Sequence, residues 1–438
     1  MPDSQIRRIV ITGMGLVSPL GSSPDELWNG LVSGRSGVDR LQNLDGQNLP
    51  TFFAAEARGF TGHIDNFGPL EATRKKTIRK GSKIMCREIQ MGVAAAQLSL
   101  HAAGLRSGQF DVDRTGVVYG CDYMMTIPDE FTEGIRACTD EEGFHFDRWA
   151  ELGMRKVDPL WLLKYLPNMP ACHVAIFNDL RGPNNSITLR EASANLAIAE
   201  AYCTIARGSA DVMIAGATGS RVHPLRTLHI VLQEELATAG HDPSKLSRPF
   251  DLHRQGSVLG EGAGAIILEE LETAQKRGAN ILAEVVGYGS STVVDHHGVA
   301  HCGSAIENSI RSALRCARLD PAAIGHLHAH GLGTRYSDRE EAQAIKRVFG
   351  HLERPIPVTT AKGHLGNVGA AGGTIGIIAS ISALRAGHLF PILNYETPDP
   401  ECPLAVVRNG ETKPGDSFLN ASVTPQGQAS CVLVRRLT

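Results

Sequence analysis

The sequence predicts an α/β protein built in packed layers from two similar halves. Two observations carry this expectation. Short apolar runs alternate with helical patterns along the whole chain, and the stretches before and after about residue 255 each read strand–helix–strand. The length of 438 residues, 42% hydrophobic and 20% charged, is enough to bury a large core. The expected division is therefore 1–255 and 256–438.

Taken in order, RIVIT (8–12) is the first strand, and helical periodicity follows over 82–103. GVVY (116–119) is the next strand, followed by a long segment, 122–165, with an acidic stretch and the aromatics Phe144, Phe146, Trp149, Trp161 and Tyr165. The helix expected over 192–207 is apolar nearly all round (Ala192, Ala194, Leu196, Ala197, Ile198, Ala199, Ala201, Ile205), a pattern of burial on every side, and Gly208 is its stop. Strands DVMIA (211–215) and GAIIL (264–268) close the first part of the pattern. The rest alternates helix 303–317, strand HLHA (326–329), helix 338–348, strand PIPVT (355–359), helix 370–386 and strand CVLVR (431–435).

Several function classes are disfavoured at once. A formal net charge of −3 argues against nucleic acid and polybasic membrane contact. The nine cysteines are scattered with no C-x-x-C pair, as in a protein of reduced thiols. The start, MPDSQIRRIVITG, shows no signal-peptide core, and no apolar stretch approaches the roughly 20 residues of a membrane span, so the expected place is the cytoplasm. Gly13-Met14-Gly15 follows a strand but lacks the third glycine and the downstream acid of a dinucleotide site. Gly260–Gly264 (GEGAG) reads as a tight glycine turn. His326, His328 and His330 alternate on one strand face, yet without fixed ligand spacing, so no metal is expected.

The run Gly182–Ser209, GPNNSITLREASANLAIAEAYCTIARGS, resembles the strand–turn–helix that carries the nucleophile in β-ketoacyl-acyl-carrier-protein synthases. That family writes GP-x-x-S-I, then T-A-C-S/T-S, then a small-residue helix ending A-x-G-x-A-D-V-M. Further blocks fall in the family's order: RRIVITGMGLVSPLG (7–21), SRPFDLHRQGSVLGEGAGAIILEELETAQKRGA (247–279), HAHGLGT (328–334) and EEAQAIKRVFG (340–350). The resemblance spans Arg7 to Arg436. It implies the thiolase fold, five αβαβα layers from two duplicated halves, and substrates carried on the phosphopantetheine of acyl carrier protein with no other cofactor.

The resemblance also assigns positions. Glu191 falls on the nucleophilic cysteine. A nucleophile in the first turn of a buried helix gains from free N–H groups and the dipole, which make a reactive thiolate; a carboxylate gains from the same field but cannot hold an acyl chain as a thioester. His330 matches the first catalytic histidine, a donor toward a developing enolate. Lys362 matches the lysine of the K-S-x-x-G-H segment, here KGHLGNVGAAGG (362–373), in which either Asn367 or, with compensating gaps, His364 takes the second histidine's place. Lys362 is expected to pair with a buried acid: Glu191, Glu269, Glu340 or Glu341. Arg190 either neutralises the pocket beside Glu191 or reaches a subunit interface. Thr334, in the histidine motif, and Thr424, in Val423–Gln428, join the expected substrate-binding set with Arg190 and His364. That last segment stands where the family has its glycine-rich G-F-G-G-S/T-N gate, and residues 122–165 stand where it builds acyl-pocket wall and dimer interface.

Three readings follow. The first is a non-condensing homologue, partner to acyl carrier protein and to itself or a cysteine-bearing synthase, as chain-length factors are. The second is altered chemistry on acyl- or malonyl-carrier protein, by decarboxylation or with Glu191 as general base for proton abstraction or hydrolysis. The third is condensation through another nucleophile, for which Cys203, twelve residues down the helix and about 18 Å away, is badly placed.

Overall fold

The structure is a computed structural model that describes residues 7–42, 49, 51–106, 108, 110–238 and 242–437. Its core is one topological unit used twice. The first copy runs β1 (Ile9–Val17), α1 (Arg87–Ala102), β2 (Thr115–Cys121), α2 (Met169–Asn178), β3 (Asn184–Thr188), α3 (Ser193–Ala206), β4 (Val212–Ser220) and β5 (Leu259–Glu270). The second runs β6 (Ala283–Thr292), α4 (Cys302–Ala317), β7 (His326–His328), α5 (Arg335–Phe349), β8 (Pro357–Thr359), α6 (Gly372–Ala386), β9 (Ser417–Val423) and β10 (Gln428–Arg435).

Pairing repeats with the elements. The first sheet is ordered β3-β2-β4-β5-β1, and the second β8-β7-β9-β10-β6. In each, the first three strands are parallel and the last two add antiparallel. The two sheets join where Ile9–Ile11 of β1 meet Ala283–Val285 of β6. The repeats change over between Glu270 and Ala283, later than the expected division at 255, because β5 pairs with β1 and β4.

Helices α3 and α6 touch strands of both sheets and each other, so they form the middle layer, while α1 packs on the first sheet and α4 on the second. This is the five-layered thiolase-like fold. The middle position explains the composition of α3 and α6: a helix covered on both faces must be apolar all round. It also explains Gly369–Ala386. That 18-residue stretch is apolar enough to cross a membrane by length and composition, contrary to the expectation from sequence, yet 78% of it is buried inside the fold.

The two glycine motifs have packing reasons. A Cβ on Gly13 would lie 2.5 Å from Ser99 O, and one on Gly15 2.3 Å from Ala95 O, so β1 needs both to approach α1. Gly260–Gly264 is not the expected turn. It lies within β5, where a Cβ on Gly264 would stand 2.9 Å from Thr374 Cγ2 of α6. Elsewhere the expected helix 82–103 begins only at Arg87, after a separate turn over Ser82–Ile84.

Candidate active site

Helices α3 and α6 occupy equivalent places in the two repeats, and the turns that lead into them meet. Glu191 sits in the turn Arg190–Ala192 before α3, and Asn367 lies just ahead of the turn Gly369–Ala371 before α6. The N-terminal ends of two helix dipoles therefore converge where Glu191 is buried, a field that favours an anion. Arg190 takes left-handed backbone angles with φ 49°, a costly conformation for a residue with a Cβ. Ser193 fixes the turn: its Oγ accepts from Leu189 N at 2.7 Å and donates to Cys121 O at 2.9 Å.

Glu191 is an ion-paired carboxylate. Arg221 contacts it closely, Arg190 Nε lies 3.5 Å from its Oε2, and Asn367 Nδ2 donates to Oε1 at 3.3 Å. Both arginines also hold Glu234, Arg221 at 3.1 Å. The result is a buried quartet of two arginines and two glutamates, with the Arg221 and Glu191 side chains 2% and 3% exposed. Burial pulls Arg221 below its ordinary range. For Glu234 burial works upward, but the Arg221 and Arg190 charges outweigh it and hold the carboxyl below its usual range. Arg190 further reaches Gln233 at 2.7 Å and Gln426 at 3.3 Å, tying α3's entry to two loops. Thr424, in the second of these loops, donates to Gln428 Oε1 at 2.7 Å.

His330 and Lys362 form the second part of the site. Lys362 Nζ donates to His330 O at 2.7 Å and lies 3.3 Å from His330 Nδ1. With Nδ1 accepting, the ring proton is on Nε2, which becomes a donor. Burial, then the charges of Lys362, Arg221 and Arg190, push His330 well below the ordinary histidine range, so the ring is neutral. Glu341 anchors this segment by accepting from His330 N at 2.7 Å and Gly331 N at 2.8 Å. Burial raises Glu341 to about 7 and lowers Lys362 to about 8, with attraction between them opposing both shifts. Among the described residues no ion pair joins Lys362 to any of the four expected acids; the Glu341 charge acts on it from behind the His330 segment that Glu341 anchors, and Glu269 pairs with Arg277.

Of the other expected residues, Thr334 caps α5, its Oγ1 accepting from Ser337 N at 3.3 Å. His364 faces away from this cluster, with Nδ1 2.9 Å from Arg35 O and Nε2 3.3 Å from Pro391 O. His326 lies 2.8 Å from Pro414 O, and His328 is held between Ser380 Oγ and Ala361 N. The cavity beside Lys362 and His328 holds about 10 Å³, the scale of one water molecule.

The chain matches the family description "Beta-ketoacyl synthase, N-terminal domain" over residues 6–274 and "Beta-ketoacyl synthase, C-terminal domain" over 282–396. The chain belongs to the β-ketoacyl synthase family. It is 33% identical to the 3-oxoacyl-(acyl-carrier-protein) synthase 2 of Coxiella burnetii, covering 92% of each chain. Identity to the synthase of the same name from Staphylococcus aureus (strain COL) is 32%, over 93% of this chain and 92% of the relative. Among solved structures it resembles a β-ketoacyl synthase from Burkholderia phymatum with TM-score 0.84 and 30% identity, over 99% of this chain and 100% of that one. The ishigamide ketosynthase/chain length factor gives TM-score 0.82 at 27% identity, over 99% and 100%. A type II PKS acyl-carrier protein in complex with its ketosynthase gives TM-score 0.83 at 27%, with the same coverage.

Sequence reasoning did not find Arg221 or Glu234. One signal was available: Arg221 follows immediately on the apolar strand β4, where a charge at a buried strand end needs a partner. Glu234 lies in a polar loop with no local pattern to mark it.

Proposed function

We propose that this synthase homologue does not condense acyl chains itself and acts as a chain-length-factor-like partner in fatty-acid or polyketide synthesis. One observation carries the reading: Glu191, the residue that the resemblance aligns with the cysteine of condensing members, is locked by Arg221, Arg190 and Asn367. A carboxylate so paired is neither a thioester-forming nucleophile nor a free base, which weighs against general-base chemistry through Glu191. Among the described residues no nearby thiol stands in. Cys121 is pushed up to about 12 by burial and lies 2.9 Å from Pro167 O, so it stays protonated and poorly nucleophilic.

The partner is a carrier protein presenting acyl groups on phosphopantetheine, together with a second synthase-like chain, and the setting is the cytoplasm. Support for the second chain comes from the sheet end. Strand β3 ends the first sheet with its outer edge unpaired among the described residues, an arrangement that invites strand addition. Apolar side chains lie exposed in the 122–165 segment, Phe146 at 75% and Met154 at 60%.

The test is co-expression with a cysteine-bearing ketosynthase, native mass spectrometry of the product, and a chain-elongation assay. The expected result is a one-to-one heterodimer whose product length shifts relative to the partner alone, and no elongation by this chain alone. Elongation by the isolated chain would overturn the reading.

A further inference from the structure

Away from the ion-paired quartet, a cavity of about 490 Å³ opens between the helix Ala72–Gly81 and the end of α1. That volume is in the range of small-molecule sites. Its floor is apolar: Pro69, Leu70, Leu100 and Leu105. One wall is the N-terminal turn of Ala72–Gly81, and this turn has no side-chain cap at Glu71 and no acid within the helix's first turn, so its N–H groups are free to take an anion. Arg74, on the same turn, has no hydrogen-bond or ion-pair partner among the described residues. Lys75 has only the exposed Asp65, 3.7 Å away. Lys76, Arg79 and Lys80 continue the positive field along the helix.

A second, independent observation points to a ligand. Gln97 lines the cavity from α1, is 2% exposed, and its Nε2 has no partner. A buried amide donor left unmatched is destabilising, so a group that accepts from it is favoured. The neighbouring cavity of about 320 Å³, which shares Leu105, makes the contrast. There Arg114 is paired with Asp211 and Arg277 with Glu269, and no buried side-chain polar atom among the described lining residues lacks a partner.

We propose that the Arg74–Gln97 cavity binds a small amphiphile with a phosphate or carboxylate head and a short apolar body. The head takes the free N–H groups and Arg74, Gln97 Nε2 donates to it, and the body lies along Leu70, Leu100 and Leu105. Glu71 is the only acid among the described lining residues and is exposed, free to turn to solvent.

The test is isothermal titration of the full chain with octyl phosphate, octanoate and inorganic phosphate, repeated on Arg74→Glu and Gln97→Leu. Wild type is expected to bind an octyl probe at least tenfold more tightly than inorganic phosphate. Arg74→Glu should weaken that binding at least tenfold and Gln97→Leu severalfold. Tighter octyl phosphate than octanoate identifies a phosphate head, and the reverse a carboxylate. No heat with either octyl probe, binding equal to that of inorganic phosphate, or binding unchanged by Arg74→Glu overturns the proposal. Arg74 is exposed to solvent on one side, so its variant is not expected to unfold, and thermal melts check both variants.

Discussion

Replacing Glu191 by glutamine should destabilise the fold, although the two side chains have nearly the same shape. At 3.5 Å and an effective dielectric near 20, the Arg190–Glu191 attraction alone is about 5 kcal/mol before desolvation. Arg221 contacts the same carboxylate, and its side chain is 2% exposed. The variant leaves two buried guanidinium groups sharing the single charge of Glu234. Breaking a buried pair from one side costs about 3–5 kcal/mol, because the remaining charge is left uncompensated. For 438 residues the unfolding entropy makes each kcal/mol worth about 1 °C, so Tm should fall by about 3–5 °C. Scanning calorimetry at fixed protein concentration measures it. The double variant Glu191→Gln/Arg221→Met removes one charge of each sign and should recover most of the loss, leaving the Arg190–Glu234 pair. A Glu191→Gln variant within about 0.5 kcal/mol of wild type, or a double variant worse than the sum of its singles, would refute the electrostatic reasoning.

Further expectations follow from the same geometry. Glu191→Cys places a thiol beside Arg221 and two helix N-termini, so it should titrate below 7 and alkylate with iodoacetamide at least tenfold faster than any native cysteine; a pKa at or above 8.5 would show that the convergent field is absent. Arg190→Ala cuts the links to Gln233, Glu234 and Gln426, and hydrogen exchange should rise in residues 233–236 and 424–428 but not in α3; unchanged exchange in both loops would count against Arg190 as their tie. Burial lowers His328 to about 3, so the unfolded chain binds its proton first and stability is lost as pH falls from 6.5 toward 4. The contribution is on the order of 3 kcal/mol over that window, and Glu341, raised to about 7, works the other way as pH falls from 7 to 4.5. A His328→Gln variant, which keeps an acceptor for Ala361 N, should therefore lose less stability than wild type between pH 6.5 and 4; parallel losses would contradict a neutral buried His328.

Much of the fold was legible because burial writes itself into apolar runs. Strands β1, β2, β4 and β5 and helices α3, α4 and α6 lie where the runs and periodicities put them. Two of the strands that escaped notice had physical reasons to do so. β3 is NNSIT, half-exposed at a sheet edge and polar for that reason, and β6 carries glycines at 287 and 289 where α4 presses on it. The duplication is faint in the residues and plain in the strand order, since topology survives when side chains diverge. At the site, motif spacing located Glu191, His330, Lys362 and Asn367. It could not pair them: ion pairs across 30 to 44 residues, such as Glu191 with Arg221 or Arg190 with Glu234, leave no periodic trace. Lys362 was expected to have an acid, and the fold supplies Glu341 through the His330 segment it anchors.

The most direct measurement is intact-mass spectrometry of this protein and of malonyl- and octanoyl-carrier protein after incubation together, with His330→Ala alongside. The account predicts an unmodified protein and unchanged carrier species in every sample, because Glu191 is held by two arginines and no reactive thiol replaces it. A covalent acyl adduct on the protein would contradict it. So would conversion of malonyl- to acetyl-carrier protein that His330→Ala abolishes, since that would make this chain a working decarboxylase and not a silent partner.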